Sequence, residues 1–121
     1  MSAFAEVHSL GPQQIWDGVV GRTVHGDRVS LSYLELEAGA VVPEHAHENE
    51  QVGILVDGSV TFTIGGETRE LGPGGTWRIL ANVPHSVTVG DEPVLIVEVF
   101  SPVREDWHAL EQQEPRPCRW P

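Results

Sequence analysis

Thirteen glycines and nine prolines fall at near-regular intervals along this chain, and the apolar runs between them are short. That spacing favours many short strands joined by tight turns over long helices. Val60, Phe62 and Ile64 alternate with Thr61 and Thr63, the period-2 signature of a strand with one buried face. Residues 19–24 and 28–37 read as a hairpin around Gly26-Asp27. Strands follow at 41–47 and 51–57, and Asp57-Gly58 is a hairpin signal. Gly65-Gly66 turns the chain into 67–71, and Pro73-Gly74-Gly75 opens a run over 76–80. The stretch 81–84 is a bend, 85–89 a short β-branched strand, and 94–100 a strand apolar on both faces except at Glu98. Beyond Ser101-Pro102 the pattern decays into a helical turn or two over 106–113, with Trp107 and Leu110 three apart. The proline-rich end cannot be regular. Eight to ten short strands without a long helix mean an all-β sandwich or barrel. The expected organisation is one domain over 1–121, with a barrel core at about 15–103 and a C-terminal tail at 107–121.

Seven basic against eighteen acidic residues give a formal charge of −11. Such a surface repels phosphate backbones, which argues against a nucleic-acid partner. An anionic small molecule remains compatible, because a buried metal and one arginine can dominate the local field. The single cysteine, Cys118, cannot form an internal disulfide and reads as an exposed tail thiol in a reducing compartment. The N-terminal residues lack the basic start and apolar core of a secretion signal, and no apolar run approaches membrane-spanning length. The expected location is therefore cytoplasmic, with no membrane partner.

The chemistry-bearing feature is His45-Ala46-His47, two imidazoles at i and i+2 of a strand and hence on one face. Glu48-Asn49-Glu50 reads as a three-residue hairpin loop leading to Gln51, which would set Gln51 opposite His47 on that face. Two imidazoles and an amide oxygen suit one divalent transition metal: Fe, Ni, Mn, Co or Zn. Glu48 and Glu50 read as solvated acids, although a slipped register would make Glu50 the ligand instead of Gln51. His85, after Val83-Pro84, joins the site only if the barrel closes. His8, His25 and His108 stand alone and read as surface residues.

The run from Gly39 through His45, His47 and Gln51 to Gly58 resembles the first cupin motif, and Pro73-Gly74-Gly75 through Val83-Pro84-His85 resembles the second. The resemblance implies a double-stranded β-helix, the jelly-roll cupin barrel, with His45, His47, Gln51 and His85 as metal ligands. The chain departs from the motifs at Gln51 (usually Glu), Leu80 (Pro), Asn82 (Gly) and Val89 (Asn). Asn82 tolerates positive φ. A neutral Gln51 leaves more of the metal's charge available to an anionic substrate.

Glu98 sits inside an apolar strand, with Phe100 two residues on and Arg104 after a proline turn. A carboxylate to move protons, a ring to pack a ligand face and an arginine to hold a carboxylate would suit an acidic sugar or keto acid. Arg104 has a rival role as a plain ion-pair partner of Glu105 or Asp106. The pattern Glu98, Phe100, Pro102, Arg104, Glu105, Asp106, Trp107 is similar to that of the KdgF-type cupins of pectin and alginate breakdown, except that those carry Asp where this chain has Glu98. That resemblance implies conversion of 4,5-unsaturated uronates to 5-keto-4-deoxyuronate. Two other readings stand beside it. One is a cupin dioxygenase for an aromatic or diketone, with Trp77 and Phe62 lining an apolar pocket or packing the core. The other is a non-catalytic metal- or ligand-binding module. The resemblance also implies a homodimer, with Trp120 either anchoring the tail on a partner barrel or lying in a disordered end.

Overall fold

The computed structural model describes residues 2–120; Met1 and Pro121, the ends of the expected domain, lie outside the described residues. A 3-10 turn at Val7–Ser9 precedes ten strands: β1 (Gln13–Trp16), β2 (Val19–His25), β3 (Ser30–Leu36), β4 (Val41–His45), β5 (Glu50–Asp57), β6 (Val60–Ile64), β7 (Glu67–Leu71), β8 (Thr76–Ile79), β9 (His85–Val89) and β10 (Val94–Ser101). One helical turn, α1 (Glu105–His108), follows. Six strands make one antiparallel sheet in the order β1-β2-β3-β10-β5-β8, and four make a second in the order β4-β9-β6-β7. The sheets close on a shared core that includes Leu34, Leu55, Phe62, Ile79 and Val94. This is a jelly-roll barrel. The described residues contain no helix long and apolar enough to cross a membrane.

Two expected hairpins are sheet-to-sheet crossings instead. β4 pairs with β9, whereas β5 pairs with β10 and β8, so residues 46–49 carry the chain between sheets and are not a hairpin loop. Asp57-Gly58 likewise leads from β5 in one sheet to β6 in the other. Gly58 has φ +95°, and a Cβ there would lie 2.8 Å from the Pro93 carbonyl oxygen. A turn signal in the sequence marks a reversal, and the same residues serve a hairpin or a corner between layers. The hairpins β2–β3 and β6–β7 form where expected. Asn82 adopts φ 63°.

The chain ends also differ from expectation. β1, absent from the expected strands, pairs with β2 at residues 13–16. The helical region is the single turn α1, and Trp107, assigned to the tail, is buried at 5% exposure. The remaining described tail is irregular, yet it lies on its own barrel. The Gln113 amide donates to the Pro12 carbonyl at 2.9 Å, Arg22 Nη2 donates to the Arg116 carbonyl at 3.2 Å, and the Tyr33 hydroxyl donates to the Arg119 carbonyl. Trp120 packs edge-on against Tyr33 of the same chain, with centroids 5.2 Å apart. Cys118 is half-buried, its sulfur 3.4 Å from His8 Nδ1. His25 and His108 are also not solitary, since their rings meet at 4.1 Å.

Candidate metal centre

Three elements deliver the histidines. His45 ends β4 and His85 begins β9, and the two are direct cross-strand partners. His47 lies in the crossing that follows β4. Candidate ligand nitrogens of His45, His47 and His85 all lie within 4.8 Å of one another. Each ring is held by the same device. Nδ1 of His45 donates to the Pro43 carbonyl at 2.8 Å, Nδ1 of His47 to the Asn49 carbonyl at 2.9 Å, and Nδ1 of His85 to the Val83 carbonyl at 2.9 Å. A carbonyl only accepts, so Nδ1 carries the hydrogen in all three rings and Nε2 keeps its lone pair. Backbone carbonyls in this position fix ring orientation in metal sites generally.

Gln51, the second residue of β5 in the other sheet, is 5% exposed and donates through Nε2 to Glu98 Oε2. That bond turns its amide oxygen toward His47, with Oε1 3.1 Å from His47 Nε2. Two lone pairs thus face each other, which is favourable only with a cation between them. Burial holds the His47 pKa below its ordinary value, which disfavours a proton as that cation. A separation of 3.1 Å fits neighbouring ligands each about 2.1 Å from one metal ion. His85 adds a second sign: its Nε2 is buried with no hydrogen-bond partner. The residues present therefore fit a divalent metal on His45, His47, His85 and Gln51. Glu50 and Glu48 are exposed, so the slipped register has no support.

The expected geometry and the observed one reach the same meeting point by different routes. The His47–Gln51 approach, expected from a local hairpin, is a contact between sheets; His85 arrives by long-range closure as expected, paired with His45 across β4 and β9.

A cavity of about 500 Å³, open solvent at its mouth included, adjoins the histidines. Glu98, Phe100, Arg104 and Trp107 reach it from β10 and the segment that follows. Glu98 is 4% exposed and also accepts from Trp77 Nε1 at 2.8 Å. Both hydrogen bonds fall on Oε2, which leaves Oε1 for the cavity. Desolvation raises the Glu98 pKa, opposed by these two bonds and by Arg104. Gly53 makes the Trp77 contact possible: β5 passes between Trp77 and Glu98, and a Cβ on Gly53 would stand 2.6 Å from the indole. Trp77 thus belongs to the core and reaches the site through this bond and through its packing on Phe62. Phe62 does line the cavity.

Arg104 combines the two roles weighed for it. Its Nε and Nη2 donate to Asp106 at 3.0 and 2.8 Å, yet it is 8% exposed and lines the cavity. Its guanidinium lies 4.8 Å from the Phe100 centroid and 4.2 Å from that of Trp107, contacts worth about 0.5–2 kcal/mol each. The arginine's bonds hold the Asp106 carboxyl below its usual range. Its Nε–Nη2 fork is engaged, so a ligand carboxylate would meet the Nη1 side. Asn49 ties this segment to the histidines. Its side chain donates to the Pro102 carbonyl at 2.6 Å and the Val103 carbonyl at 3.3 Å, while its own carbonyl orients His47.

Residues absent from the sequence reading complete the cavity. Ile15 and Trp16 of β1 line it, and the Trp16 ring lies 5.1 Å from that of His45. Ile15-Trp16 before the Asp17-Gly18 turn was the available signal.

Burial pushes the His85 pKa down to about 4 from 6.5. Between those values the unfolded chain binds a proton that the metal-free fold does not, so this contribution to stability is complete above pH 6.5 and lost as pH falls toward 4. Glu98, with its raised pKa, acts in the opposite sense. The expected result is that metal-free wild type loses more urea resistance than His85→Leu between pH 7 and pH 4. Parallel pH profiles for the two proteins would contradict it.

Comparison with known proteins agrees with this architecture. The cupin domain family model matches residues 32–100. The pectin degradation protein KdgF of Dickeya dadantii (strain 3937) is 26% identical over 97 residues, covering 78% of this chain and 88% of that protein. The structure of KdgF from Halomonas sp. superposes with a TM-score of 0.80 at 26% identity, over 88% of this chain and 98% of that one. An RmlC-like cupin from Shewanella frigidimarina NCIMB 400 shares the fold, with a TM-score of 0.82 at 21% identity over 88% and 96% of the two chains. Because the family match runs from β3 to β10 and takes in His45, His47, Gln51 and His85, the chain belongs to the cupin domain family.

Proposed function

We propose that this protein is a metal-dependent isomerase that opens the ring of a 4,5-unsaturated uronate to give 5-keto-4-deoxyuronate. The observation that carries the reading is the buried Glu98, held by Gln51 and Trp77 and placed in one cavity with His45, His85 and Arg104. Relatedness to the KdgF proteins supplies the substrate class. His45, His47, His85 and Gln51 would hold the metal, which when bound supplies a Lewis acid for the substrate's oxygens. Arg104 orients the substrate carboxylate, and Phe100 sets one wall. Glu98 takes the proton of the anomeric hydroxyl; the bond from C1 to the ring oxygen breaks, leaving an aldehyde and an enolate. The same carboxyl returns the proton to C4, giving the ketone with no atom gained or lost.

Purified, metal-loaded protein should speed the loss of ultraviolet absorbance from lyase-generated unsaturated galacturonate or mannuronate. No acceleration over buffer with metal bound would remove this reading.

The cavity's inner wall favours a second reading. Ile15, Trp16, Leu34, Phe62 and Ile96 make it apolar, which suits an aromatic or diketone substrate of a dioxygenase. Oxygen uptake with such substrates on the iron-loaded protein separates the two.

A further inference from the structure

A hydrogen-bond relay runs from the β2–β3 turn to the backbone of the cavity arginine. His25 closes β2, Ser30 opens β3, and the two are direct cross-strand partners. On its other side Ser30 pairs with Phe100 of β10, so the three side chains share one row and one face. Phe100 is the cavity end of that row. Ser30 is fully buried. Its hydroxyl accepts from the Arg104 backbone N–H at 3.0 Å and lies 2.8 Å from His25 Nδ1. A buried hydroxyl hydrogen needs an acceptor, and His25 Nδ1 stands where it can take it. The relay therefore runs from Arg104 N–H to Ser30 O–H to His25 Nδ1, each bond polarising the next. It requires a neutral His25. Burial, then the facing His108 ring, lower the His25 pKa, while Glu105 acts to raise it.

The same histidine meets the far end of the arginine's segment. His108, the last residue of α1, packs edge-on against His25 at 4.1 Å, and its Nδ1 lies 3.5 Å from Glu105 Oε2. Between those ends α1 carries Asp106 and Trp107, the groups that hold the Arg104 guanidinium. Gln13 Nε2 secures the exit by donating to the Trp107 and Leu110 carbonyls at 2.9 and 3.1 Å. His25 thus grips the turn at its start, through Ser30, and at its finish, through His108.

We infer, resting on the carboxylate-holding role proposed for Arg104, that His25 is a positioning residue for that arginine and acts through the Ser30 hydroxyl. Asp106 engages Nε and Nη2, so the Nη1 edge is left for a ligand carboxylate. The place of that edge follows the place of the backbone that carries it. Ser30 and His25 fix that backbone from outside the cavity.

His25→Leu removes the acceptor and the ring contact together, whereas His25→Asn sets Oδ1 where Nδ1 stood and loses the ring contact alone. On metal-loaded protein, His25→Leu should raise KM for unsaturated galacturonate about two- to tenfold, the worth of one hydrogen bond, with kcat nearly unchanged. His25→Asn should restore the wild-type KM. Ser30→Ala should raise KM as His25→Leu does, and the double variant should go no further, because both break one relay. Amide hydrogen exchange by NMR reads the relay without substrate: the Arg104 N–H should exchange faster in His25→Leu and at the wild-type rate in His25→Asn. An Arg104 amide unchanged in His25→Leu would overturn the inference. So would kinetics altered alike in His25→Leu and His25→Asn, the mark of a role in the fold alone. A wild type without turnover would remove the isomerase reading and leave the exchange rates to decide whether His25 holds Arg104. If His25→Leu fails to fold, His25→Gln, whose longer side chain carries its oxygen past the Nδ1 position, takes its place.

Discussion

Replacing His85 with leucine is expected to weaken metal binding at least 100-fold while leaving the metal-free fold as stable as wild type or more so. The first half follows from ligand count, since even loss of an outer-shell partner costs up to about 100-fold in affinity. The second follows from the orphaned Nε2. A buried polar atom without a partner costs about 1–3 kcal/mol, and leucine removes that cost, which offsets the lost bond from Nδ1 to the Val83 carbonyl, worth about 0.5–1.5 kcal/mol. Calorimetric titration with zinc or nickel reads the affinity, and thermal melts with and without chelator read the stability. Wild type should gain about 2.7 kcal/mol when metal is present at a hundred times its Kd, and His85→Leu should gain almost nothing. A His85→Leu protein that binds metal like wild type would show that Nε2 is no ligand. One that is several kcal/mol less stable without metal would show that the imidazole serves the fold rather than an ion.

Much of this site could be read from the chain because ligand chemistry and strand periodicity are local. His45 and His47 share a face by spacing alone, and Glu98 is conspicuous as one acid in an apolar strand. What the sequence hid was connectivity. The interval from His47 to Gln51 suits a three-residue loop and an inter-sheet crossing equally, because both reverse the chain within a few residues. Asp57-Gly58 was ambiguous for the same reason. β1 was hidden for another: its four residues, Gln13-Gln14-Ile15-Trp16, show no period-2 alternation. Trp120 reads as tail because the prolines around it forbid regular structure, and Trp107 because the strand pattern decays beyond Ser101-Pro102 into a short helical stretch. Irregular backbone still docks when its carbonyls find donors, as those of Arg116 and Arg119 do.

The departure at Gln51 also has a physical account in its surroundings. A carboxylate there would face Glu98 in a buried site, and two such acids cannot both ionise cheaply. The amide avoids the conflict by donating to Glu98 through Nε2 and presenting Oε1 toward His47. One side chain thereby links the metal position to the carboxyl that faces the cavity.

That link makes Glu98→Gln a discriminating experiment. The expected result is a fall in kcat of about 10²–10⁴-fold, the usual size of a general acid–base contribution, with metal affinity changed only a few-fold. The reasoning is geometric. Both donors to Glu98 fall on Oε2, so an amide oxygen at that position can accept from Gln51 and Trp77 as before. The amide nitrogen then occupies the Oε1 position toward the cavity, where it cannot take a proton. Gln51 keeps its orientation, and His47 keeps its partner for a shared ion. Metal content and turnover of unsaturated uronate should therefore separate in this variant. If they fall together, Glu98 acts by holding Gln51 in place, and the proton transfer assigned to it belongs to another group.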